Sequence, residues 1–96
     1  MSPNNKKKLN LIRKKLDKLD NKLLNLIKLR TGLVKEVLKL KEFKKEIIDQ
    51  KRINFILNKI KGKSKKLEID PKITNRIWKN MIWSYINYER RNFKKK

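Results

Sequence analysis

The chain has 96 residues, with 30 lysines and arginines against nine acidic residues, no histidine and a formal net charge of +21. Cysteine is absent too, so disulfides, thiol nucleophiles, zinc sites and histidine acid–base relays are excluded, and any chemistry must come from positioning and electrostatics. Two glycines, two prolines and long stretches of helical periodicity place it in the all-α class, as one domain near the lower size limit for a core of its own.

Most of the charge is ordinary. The 24 lysines accompany 12 isoleucines, 11 asparagines and no alanine, the bias that an AT-rich genome imposes on any protein. Lysine is also the usual solvated residue of a helix face. The arginines are the exception, because there are only six in a chain that uses lysine nearly everywhere, and each calls for a reason.

Residues 1–8 read as a basic N-terminal tail with no apolar run of signal-sequence or membrane-span length, so a cytoplasmic protein is expected. From there an alternating three-and-four spacing runs through Leu9, Ile12, Leu16, Leu19, Leu23, Leu26, Arg30, Leu33, Val37 and Leu40. This is the seam of one long amphipathic helix, predicted from about Asn5 to Lys41 and packed against a partner helix. Nine of the ten seam positions are aliphatic, and the tenth is Arg30, whose guanidinium cannot lose its charge. A cation in an apolar seam calls for an anion, from the protein or from a ligand. Gly32 weakens the helix locally without ending it.

Glu42 to Ile48 loses the seam pattern and is predicted as a connection. Asp49 is a good N-cap for a second helix, expected to end at Lys61 with Gly62 as its stop and Gly62 to Lys66 as a basic loop. Its stripe reads Ile48, Arg52, Phe55, Ile56, Ile60, again with an arginine at a core position. Asp70-Pro71 starts a third helix that runs to about Phe93, and residues 94–96 form a basic C-terminal tail. The third stripe is Trp78, Ile82, Tyr85, Ile86, Glu89, Phe93, with a carboxylate among apolar and aromatic side chains. Three such helices expose a large apolar face, so an oligomer is expected. Glu89 alone cannot neutralise Arg30, Lys41 and Arg52. A small dianionic ligand, gripped bidentately by arginines, would balance them. The structural alternative is a buried Arg–Glu network that fixes helix register.

The ordered set Ile12-Arg13, Leu19-Asp20-Asn21-Lys22-Leu23-Leu24-Asn25-Leu26, Arg30, Lys41 and Arg52 resembles the all-helical chorismate mutases, over roughly Leu11 to Phe93. The resemblance makes residues 9–93 a chorismate mutase-type helical domain. It implies an intertwined homodimeric helical bundle with three helices per chain and a very long first helix. Arg13 and Arg30 are seventeen residues apart, about 25 Å along a helix, too far for one small ligand. If both serve one site, Arg13 is donated across the dimer interface. By resemblance, Arg30 and the partner subunit's Arg13 hold the two carboxylates of the substrate. Lys41 and Glu89 flank the ether oxygen of the breaking bond, and Arg52 adds positive charge near the enolpyruvyl fragment. Lys41, Arg52 and Glu89 are thus the expected catalytic residues, and Arg13, Arg30, Asp49 and Tyr85 the expected substrate-binding ones. No metal or cofactor is expected, because the rearrangement of chorismate to prephenate is pericyclic. It needs a compact conformer and fixed charges facing a polarised transition state.

Three positions depart from the pattern. Ile53 stands where many bacterial mutases carry a glutamate for the substrate hydroxyl, Tyr85 stands where serine is frequent, and the connection between Lys41 and Arg52 is short. With Trp78, Trp83, Tyr85 and Tyr88, these features resemble the isochorismate-pyruvate lyases of salicylate biosynthesis, which share the fold. Glu89 replaces the glutamine common in bacterial members. A carboxyl donates to an ether oxygen only when protonated, so activity is expected to decline as pH rises. The expectation is therefore a chorismate mutase of aromatic amino acid biosynthesis, with chorismate as substrate. The lyase, acting on isochorismate, is the near alternative. The rival from another class is a basic helical nucleic-acid binder using Arg76, Arg90, Arg91 and the Lys94 to Lys96 tail. Neither nucleic acid nor membrane is the expected partner.

Overall fold

The computed structural model describes residues 1–94, so Lys95 and Lys96 of the expected basic tail lie outside the described residues. Its helices are α1 (Pro3–Leu40), α2 (Gln50–Lys66) and α3 (Pro71–Asn92), with a short 3-10 turn at Lys44–Glu46, and among the described residues there is no strand. The chain is all-α with a very long first helix, as expected. Among the described residues, no helix is long and apolar enough to cross a membrane.

The chain divides into two compact units, Met1–Leu33 and Val34–Lys96. The first is the greater part of α1. It starts two residues before the expected position because Ser2 caps it. The Asn5 N–H donates to Ser2 Oγ at 3.2 Å, and Pro3 supplies the preset φ of a first helical residue. Gly32 sits inside α1 without interrupting it, as predicted. No residue of α1 is buried, and Leu16, Leu19, Leu23 and Leu26 are each more than half exposed. Among the described residues, these four seam leucines are thus left open to solvent.

The second unit is built on the α2–α3 hairpin, whose core is Ile47, Ile53, Ile82 and Ile86, flanked by Ile56, Leu57 and Phe93. Both predicted caps are present. Asp49 accepts from the Arg52 N–H at 3.1 Å, and Asp70 accepts from the Lys72 N–H at 2.9 Å ahead of Pro71. The third-helix stripe is also as read: Ile82, Ile86 and Glu89 are buried, and Trp78, Tyr85 and Phe93 are half-buried.

Two expectations for α2 are corrected. The helix does not stop at Lys61 with Gly62 as its cap; it continues to Lys66, so the supposed Gly62 to Lys66 loop is its last turn. A buried pair holds that turn in place. The Ser64 hydroxyl donates to the Ile60 carbonyl at 2.6 Å and lies 2.6 Å from the Thr74 hydroxyl of α3. The helix ends in a Schellman arrangement: Glu68 takes the left-handed conformation (φ 58°), its N–H donates to Lys65 C=O, and the Ile69 N–H donates to Ser64 C=O. A glutamate thus occupies the place where glycine is usual, while Gly62 has ordinary helical geometry. The inward stripe of α2 is also shifted by one residue. It runs Ile53, Ile56, Leu57, Ile60, Ser64, and Ile48, Arg52 and Phe55 face outward in the chain. Counting from Arg52 forces the wrong face of a 3.6-residue helix.

Candidate functional site

Lys41 is the first residue past α1, and its backbone N–H closes the helix end on Leu38 C=O at 3.2 Å. From there its ammonium reaches across to α3, where Nζ lies 3.3 Å from Glu89 Oε1 and 3.1 Å from Oε2. The carboxylate is almost wholly buried, with 5% exposure for the residue. Two residues 48 apart in sequence are therefore joined by a charge-assisted contact in a largely water-excluded place. Tyr85 is half-buried one turn before Glu89 on the same helix.

Beside Lys41 lies an open recess of about 430 Å³ lined by Lys41, Glu46, Ile48, Asp49, Gln50 and Lys51. It is the mouth of the capped α2 N-terminus, where Asp49 both lines the recess and accepts from the Arg52 N–H. Arg52 is exposed, with its guanidinium carbon 5.4 Å from the centroid of the Phe55 ring, so aromatic contact holds it at the surface of α2. Glu46, Gln50 and Lys51 were not singled out from sequence. Glu46 had a detectable signal: it lies three residues after Phe43 and takes the Phe43 N–H at 3.0 Å, the reach-back of a helix-start carboxylate.

The first unit holds the other two cations. Arg13 is exposed and Arg30 half-buried, both on α1, seventeen positions or about 25 Å apart. Within each unit, then, the structure brings Lys41 to Glu89 and Asp49 to the backbone of Arg52, and holds Arg13 and Arg30 apart along α1.

The family model for chorismate mutase type II matches residues 12–90. The chain belongs to that family. No curated protein and no solved structure matches it. The match makes this a protein of the chorismate mutase kind, and its span contains all seven nominated residues from Arg13 to Glu89. In a chorismate mutase type II chain an all-helical architecture without histidine or cysteine is chemically sufficient, because the family's reaction requires no nucleophile.

Proposed function

We propose that the chain is a chorismate mutase, converting chorismate to prephenate in aromatic amino acid biosynthesis as an intertwined homodimer. The observation that carries this reading is the buried Lys41–Glu89 pair within the family match. A buried ion pair adds little net stability over apolar side chains of similar volume, which argues that this one has a chemical role.

Arg30 and the partner subunit's Arg13 each take one substrate carboxylate, bidentately, and so hold the compact conformer in which the reacting carbons meet. One C–O bond breaks and one C–C bond forms, with no net transfer of protons or electrons to the protein. C–O cleavage runs ahead of C–C formation, so negative charge grows on the enolpyruvyl oxygen. Lys41 donates to that oxygen, Arg52 adds positive charge nearby, and Glu89 flanks the oxygen and holds the Lys41 ammonium in place. Asp49 and Tyr85 border the substrate. The dimer is supported by the open seam of α1 and by the small size of the α2–α3 core.

One observation favours a second reading. Ile53, the residue after Arg52, is buried in the α2–α3 core and offers no polar atom to a substrate hydroxyl. That suits the isochorismate-pyruvate lyase chemistry of the same fold. Product analysis by NMR after incubation with chorismate, and separately with isochorismate, tests both. Prephenate from chorismate supports the mutase. Salicylate and pyruvate from isochorismate replace it with the lyase, and turnover of neither refutes both.

A further inference from the structure

Three of the six arginines have no place in the proposed site, and all three, Arg76, Arg90 and Arg91, lie exposed on α3. The only carboxylate of α3 is Glu89, which is buried against Lys41. The outer surface of this helix therefore carries five exposed cations, Lys72, Arg76, Lys79, Arg90 and Arg91, with no acid on the same helix to offset them. None of the five makes an ion pair among the described residues. They are also ordered. Lys72, Arg76, Lys79, Trp83 and Arg90 follow at steps of four, seven, eleven and eighteen residues, which places them on one stripe of the helix. The stripe is about 27 Å long and lies roughly 100° around the helix axis from Glu89. Trp83, the large aromatic within it, is 44% exposed.

We infer that the outer face of α3 is a binding surface for single-stranded nucleic acid, independent of the chorismate site. Cations in a row neutralise successive backbone phosphates, and an indole among them offers a flat surface on which a base can stack. Sequence-tolerant single-strand binders combine these two elements, and the length suits several nucleotides. A lipid surface is the less suitable partner, because Trp83 is the sole apolar side chain among the five stripe positions, whereas interfacial helices bury a broad apolar face.

The test is fluorescence anisotropy of a labelled oligothymidylate titrated with the full chain at several salt concentrations, with no substrate present. This readout is independent of whether chorismate turns over. The variant Arg76→Gln/Lys79→Gln/Arg90→Gln should lose at least tenfold in affinity, with the slope of log K against log salt falling by about 2. Trp83→Leu should weaken binding without changing the slope. The control Lys14→Gln/Lys18→Gln/Lys22→Gln, which removes equal charge from α1, should bind as the parent does. Circular dichroism checks that each variant is folded. Equal loss in the α1 control would mean that net charge alone binds, and would overturn the inference. So would absence of binding at low salt, or α3-dependent binding to phosphatidylserine vesicles without binding to the oligonucleotide.

Discussion

Glu89 of α3 accepts from the Lys41 ammonium through both carboxylate oxygens, at 3.3 and 3.1 Å, and thereby ties the end of the first helix to the last turns of the third. The pair is an anchor as well as a candidate catalytic element, and variants can separate the two roles. Lys41→Met leaves a buried carboxylate without its partner and should destabilise the protein by about 3 kcal/mol in urea unfolding, as well as abolish activity.

Glu89→Gln keeps the shape and supplies a permanent N–H donor. It also removes the negative charge that holds the Lys41 ammonium, so kcat/KM should fall in a steady-state assay with chorismate. A variant that keeps the wild-type rate removes Glu89 from the reaction.

The seam of α1 supplies a test of assembly. Leu19 and Leu23 are more than half exposed in the single chain, yet they occupy consecutive seam positions. Leu19→Lys/Leu23→Lys should abolish the proposed dimer in sedimentation equilibrium and with it the activity. Arg30→Leu should raise the melting temperature while removing turnover, because an aliphatic side chain fits the apolar seam better than a half-buried cation but cannot hold a carboxylate.

Glu68 occupies a left-handed position that L side chains adopt at a cost. Glu68→Gly should stabilise the chain by about 1 kcal/mol in chemical denaturation and leave activity unchanged. Loss of stability would mean that the glutamate side chain contributes more than its backbone strain removes.

The Ser64–Thr74 hydroxyl pair, buried between α2 and α3, predicts coupling. Ser64→Ala and Thr74→Val should each cost about 1 to 2 kcal/mol, and the double variant less than their sum, because removing both partners leaves no orphaned hydroxyl.

The sequence by itself determined the three helices, the Asp49 and Asp70 caps and the inward stripe of α3, because these depend on local spacing and local hydrogen bonds. It also singled out Lys41 and Glu89, since charges placed in apolar stripes are visible without coordinates. Only the tertiary structure decided that these two meet, because a contact across 48 residues leaves no periodic trace. It also decided the true face and end of α2. Gly62 looks like a stop in isolation, but its cost of about 1 kcal/mol is outweighed by the packing of Ser64 against Thr74. The outward turn of Arg52 has the same origin: α2 buries whichever side meets Ile82 and Ile86, and that choice is made by the neighbouring helix rather than by the arginine.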